Sequence, residues 1–176
     1  MARAIPPGAV LVAALSLAGC ARAPPPPMPA PAPLTTATPA QMLAAVHEAG
    51  ATADTELAVR PLRDPATADL RDLAAAQQAA GDHAAAAATL DRALALSPDD
   101  PAILQERAEA ALLGGDFPAA EAHALRAHGL GSQLGPMCRR HWTTVEQVRL
   151  AAGDAAGAAD ARTRVAACRV DRPARY

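Results

Sequence analysis

One dipeptide recurs along this chain at near-constant spacing: Gly81-Asp82, Gly115-Asp116 and Gly153-Asp154, at intervals of 34 and 38 residues. Each copy separates two Ala/Leu-rich stretches with helical patterning. Aspartate suits such a junction, since its carboxylate can accept orphan backbone donors at the start of the next helix. The chain is therefore expected to fold as a run of helix pairs, each closed by the same turn. Composition agrees. Hydrophobic content is 51% but aromatic content only 2%, the difference being largely alanine, which favours helix and buries little area per residue. A core built from it needs close helix–helix approach. No window alternates β-branched or aromatic residues as strands do. The net charge of −2 offers no basic face of the kind nucleic acid demands.

Set against the 34-residue tetratricopeptide pattern, the chain resembles that family over residues 67–170. In the first repeat (67–100) Leu70, Leu73, Ala74 and Gln77 fall on the signature positions of the first helix. Ala86, Leu90, Ala93 and Pro98 fall on those of the second. In the second (101–134) Leu104, Ala108, Ala120 and Ala127 keep register, with Phe117 just after the turn and Ala124 where a large aromatic is usual. The third (139–170) follows a glycine-rich extension from Gly129 to Pro136 and is carried by Trp142, Val145, Ala158 and Val165, with Arg162 at a normally apolar place. The resemblance implies an all-α, right-handed superhelical array of about three antiparallel hairpins. Upstream, residues 38–66 are expected to form N-terminal capping helices or a degenerate repeat. Thr38, Pro39 and Gln41 mark a helix start with a capping box, Met42, Leu43, Val46 and Ala49 form its apolar stripe, and Gly50 ends it. A second short helix is expected between Ala53 and Arg60, and residues 171–176 form a tail.

The first 19 residues have the form of an export signal: a basic start, a short apolar segment from Val10 to Leu15, and small residues before Cys20. Leu17-Ala18-Gly19-Cys20 resembles the bacterial lipobox, which implies cleavage before Cys20 and lipidation of its sulfur. Ala21 in place of an aspartate favours the outer membrane, facing the periplasm. Residues 20–37 are expected to be a proline-rich disordered linker, since residues 21–40 hold eight prolines, which cannot donate backbone hydrogen bonds.

Cys138 and Cys168 remain after lipidation. They lie at the neighbouring ends of the last hairpin, and an exported protein invites their pairing; the alternative is two buried, unpaired thiols. Cys138 and His141 stand at a spacing that can serve a metal, but no further ligands cluster near them, and none of the familiar catalytic or cofactor motifs is present. No enzyme activity and no cofactor are expected. His47, His83, His123 and His128 are scattered and fit helix surfaces, and Arg139-Arg140-His141 could meet an acidic partner or lipid headgroups.

In arrays of the family the first helices line a concave face. The resemblance places Arg71, Gln78, Gln105, Glu109, Arg140, Thr143 and Gln147 there, with Ala68, Ala75, Ala102, Leu112 and Leu150, as a mixed polar strip able to hold an extended peptide. The function expected is a membrane-anchored scaffold that binds an envelope protein or peptide through this groove. Similar proteins assist pilus assembly, outer-membrane protein insertion or control of wall hydrolases. Two alternatives are an envelope lipoprotein with no fixed ligand and a metal or thiol enzyme using Cys138 and His141.

Overall fold

A computed structural model of the chain describes residues 30–51 and 64–169. The signal segment, Cys20, the linker before Ala30, the short helix expected between Ala53 and Arg60, and the tail lie outside the described residues. Among these there are seven helices and no strand: α1 (Pro39–Ala49), α2 (Pro65–Ala79), α3 (His83–Leu96), α4 (Pro101–Leu113), α5 (Phe117–Leu130), α6 (Gly135–Ala151) and α7 (Ala155–Ala167). α2–α3, α4–α5 and α6–α7 pack as hairpins, which join through α3–α4 and α5–α6.

The repeated dipeptide closes each hairpin by one mechanism. Gly81, Gly115 and Gly153 adopt φ of 82°, 78° and 77°. The following Asp backbone N–H then reaches back to a carbonyl of the preceding helix: Asp82 to Gln77, Asp116 to Ala111 and Asp154 to Arg149, each at 2.9 Å. The three aspartate side chains accept from the N–H of Ala85, Ala119 and Gly157, capping α3, α5 and α7. Asp100 caps α4, and Thr38 with Gln41 forms the capping box of α1.

Small residues stand where helices cross. Ala74, Ala86, Ala93, Ala108, Ala120, Ala127, Ala158 and Ala161 are all buried. Ala124 does not thin the packing as its small size suggests, because Trp142 belongs to the same buried cluster, with Ala108, Val145 and both cysteines. Leu73, by contrast, is 45% exposed; α2 has its extensive packing with α3 alone. Arg162 is solvated and pairs with Glu146 at 2.8 Å.

Two expectations need correction. The glycine-rich stretch is no loop extension: α5 continues through Gly129 to Leu130, and α6 begins at Gly135, one turn before Arg139. That added turn is held at the far end of its own hairpin. Gly135 N–H donates to the Cys168 carbonyl at 2.7 Å, and Cys138 is bonded to Cys168, with Cα atoms 5.7 Å apart. The last part of the linker is also ordered against the array. Leu34 N–H donates to the Leu150 carbonyl at 2.8 Å, and Pro31 and Ala32 lie over Gly153, where a Cβ would come within 2.5 Å of the Ala32 carbonyl oxygen.

Candidate functional site: a cleft between α1 and α2

The position of α1 decides what the first-helix face can do. A cap would cover the end of the array at α2. Instead α1 packs on α6 and α4. Its stripe residues Met42 and Val46 are buried with Ala111, Leu112, Ala120 and Val148, with Leu43 and Phe117 packed at the edge. The apolar stripe thus finds its partner two hairpins away from the helix that follows it in sequence.

Polar ties hold the C-terminal end of α1. Arg139 Nε donates to the Ala49 carbonyl at 2.7 Å, which suits the negative end of a helix. His47 Nε2 lies 3.0 Å from Glu109 Oε2. Arg140 grips both oxygens of Glu109, at 2.6 and 2.7 Å. The basic triplet beginning at Arg139 is therefore mostly internal. The Glu109 side chain is only 4% exposed. Burial opposes its charge, but the His47 hydrogen bond, the Arg140 guanidinium and the Gln105 amide outweigh burial and hold the carboxyl below its ordinary range.

Gln105 lies beneath this pair and is fully buried. Its amide nitrogen donates to Glu109 Oε1 at 2.8 Å and Thr144 Oγ1 at 2.9 Å. Its oxygen must then accept from His141 Nδ1, at 2.8 Å, which fixes the Nδ1–H tautomer. The remaining His141 nitrogen is buried without a partner, and burial, His128 and Arg140 lower the imidazole pKa to about 4. A group held neutral when folded and protonated below about 6.5 when unfolded favours the fold fully above pH 6.5, and that contribution is lost as pH falls towards 4. Stability measured between pH 7 and 4 should decline on the order of 3 kcal/mol from this group, with an NMR titration midpoint for His141 near 4. A midpoint near 6.5 would show that the ring is not enclosed in this network.

Gly50 is the contact point between α1 and Arg140. A Cβ there would stand 2.2 Å from Arg140 Cγ. Gly50→Ala should push Arg140 off Glu109, cost about 1–3 kcal/mol in denaturant unfolding, and speed amide exchange in α1 before the rest of the fold.

Among the described residues, what stays open is a cleft of about 640 Å³ between α1 and α2, floored by α4. α1 contributes Ala40, Leu43 and His47, and α2 contributes Ala68, Arg71, Ala75 and Gln78. Glu106, Glu109 and Leu113 come from α4. Arg71 is paired with Glu106 through a forked contact, its Nε at 2.7 Å from Oε2. Of the residues placed on a binding strip by sequence, Arg71, Gln78, Glu109 and Arg140 reach this cleft. Gln105 and Thr143 are buried, and Gln147 is half-buried away from it. The continuous strip is therefore divided, because α1 covers part of the first-helix face. His47, Leu43 and Glu106 were missed. Helix α1 was expected in an N-terminal cap or a degenerate repeat, although its unmatched apolar stripe was the signal that it must lie on something.

Cys138 is no free thiol, being bonded to Cys168, and His141 is enclosed by Gln105, so the thiol or metal site expected as an alternative is not formed. Among the described residues no three His, Cys, Asp or Glu side chains converge as metal ligands. Nearby, the Arg164 guanidinium stacks 4.6 Å from the Trp142 ring centre and His128 meets the same indole edge-on at 4.8 Å.

Comparison with known proteins agrees with the helical repeats. The tetratricopeptide repeat family model matches residues 67–110. Among solved structures, the chain is similar to one described as the globular C-terminal domain of P. aeruginosa LpoP. The identity is 33% and the TM-score 0.56, over 60% of this chain and 99% of that one. No curated protein matches the sequence.

Proposed function

The chain belongs to the family of the globular C-terminal domain of P. aeruginosa LpoP, and from that premise we propose that it is a lipid-anchored scaffold of the bacterial envelope. In this reading it holds a periplasmic or envelope protein in the cleft between α1 and α2. Arrays of this type present extended binding surfaces formed by stacked hairpins. The observation that carries the reading is the cleft itself. It is the part of the first-helix face that α1 leaves open, walled by exposed Ala75 and half-buried Gln78. Leu17-Ala18-Gly19-Cys20 supports the anchor. Attachment at Cys20 places the lipid ahead of a proline-rich spacer whose last residues run along the third hairpin. Several acyl chains on one terminus make such an anchor practically permanent, since a single chain is only marginal. The outer membrane, facing the periplasm, is the proposed location.

Two measurements test this. Mass spectrometry of the membrane-extracted chain should find an acylated Cys20 as its first residue. Cys20→Ser should leave the chain uncleaved or unlipidated and free of the outer-membrane fraction. For the binding half, Ala75→Arg should abolish capture of the partner that wild type retains, without lowering the melting temperature. Capture untouched by Ala75→Arg would remove the cleft from the proposal.

A further inference from the structure

Resting on the cleft reading above, we propose that the segment received there is a short amphipathic helix, seated beside α1, and not an extended peptide. The walls decide this. An extended chain directs its backbone N–H and C=O groups sideways, and once enclosed each must find a partner. Apart from Asp72, which is exposed at the rim, the charged groups along this cleft are already committed to one another. Arg71 is held by Glu106, and Glu109 is held by Arg140, Gln105 and His47. His83 Nδ1 is buried without a hydrogen-bond partner, and the Gln78 side-chain amide lines the cleft beside it. Both sit at one end, in the last turn of α2 and the first residue of α3. They can anchor a terminus but cannot run a ladder along the cleft. A helix satisfies its backbone internally and asks only for apolar contact.

That contact is available. Ala40, Ala68 and Ala75 keep opposite walls free of bulk, so a helix backbone can approach closely. Leu43 and Leu113 offer an apolar surface between them. The neighbouring step of the same array already holds such an occupant. α1 is an 11-residue helix that buries Met42 and Val46, four residues apart, against α4 and α6. The open step between α2 and α4 lies one hairpin along. The occupant is therefore expected to carry two apolar residues four apart, small residues beside them, and a polar group for Gln78 and His83 at one end.

The probe is a peptide copying residues 36–51 of this chain, added to the isotope-labelled full chain and followed by NMR. Binding should be weak, roughly 0.1–1 mM, as expected for a helix too short to form alone. Amide shifts should concentrate in α2 and α4, and the bound peptide should show helical carbon shifts. Ala75→Arg in the chain should weaken binding tenfold or more, whereas Ala88→Arg, exposed on α3, should not. A copy carrying Ala45→Pro, which breaks the helix interior, should lose binding about tenfold or more. Equal binding of the proline copy at the same α2 and α4 amides would overturn the helix while leaving the cleft as a site. Shifts confined to α6, meaning exchange with α1, would overturn the vacant seat, and no shift in α2 or α4 at millimolar peptide would overturn the helix inference. The cleft reading would then be judged separately by partner capture with Ala75→Arg.

Discussion

Glu109→Ala is expected to cost about 3–5 kcal/mol, the range for breaking a buried ion pair from one side. Arg140 donates to both carboxylate oxygens, Gln105 adds its amide, and His47 reaches in from α1. Removing the carboxylate leaves a guanidinium and an amide N–H without their acceptor inside the α1–α4–α6 junction. α1 should loosen first, because His47 and the Arg140–Gly50 contact both depend on that carboxylate. Glu109→Gln, which keeps the shape and part of the bonding, should cost less. Glu109→Ala combined with Arg140→Ala should recover part of the loss, since no unpaired charge remains. Denaturant unfolding of the single and double variants measures the coupling directly. Strict additivity would show that the pair contributes nothing beyond its separate parts.

Loss of the disulfide is expected to have the next largest effect. Cys138 and Cys168 are 30 residues apart in sequence, and closing a loop of that size stabilises by about 3–4 kcal/mol in the chain-entropy model. The bond lies in the same cluster as Trp142, Val145 and Ala161, at the end of the array with no further hairpin among the described residues. Cys138→Ala with Cys168→Ala, or reduction of the wild type, should therefore melt the third hairpin earlier than the other two. Trp142 fluorescence reports that hairpin specifically, as the chain has one tryptophan. Coincident curves with and without reductant would contradict this assignment.

Much of the fold could be read from local chemistry. Gly81, Gly115 and Gly153 take the left-handed conformation that makes Gly-Asp a turn, and Thr38 with Gln41 closes its box around an adjacent helix start. These features depend on residues a few positions apart. The pairing of Cys138 with Cys168 was also legible, because a hairpin fixes which ends meet. The place of α1 was not. Met42 and Val46 announce that the helix buries one face, but an alanine-rich surface carries little to say which alanines it meets, and the partners Ala111 and Val148 lie far along the chain. The extra turn of α6 was hidden because Gly129, Gly131 and Gly135 look like a loop. Only Gly129 lies inside a helix, where glycine costs roughly 0.5–1 kcal/mol relative to alanine; Gly131 follows α5 in extended backbone, and Gly135 opens α6 at a φ of 82° with its N–H on the Cys168 carbonyl. The site inherits the same division. Arg71 and Gln78 stand on a face that repeat position alone indicates. Gln105 was placed on the open strip, whereas Thr144 and the His141 ring of α6 hold it in the interior.

Photocrosslinking in living cells tests the open cleft most directly. A photoreactive residue at position 75, in the cleft wall, and one at position 88, on the outside of α3, differ only in the surface they present. The full-length chain carrying the probe at 75 should yield one dominant adduct with an envelope protein, and the probe at 88 should yield none. An adduct from 88 with none from 75 would mean that the partner meets the second-helix face, and that the cleft between α1 and α2 is not where this protein binds.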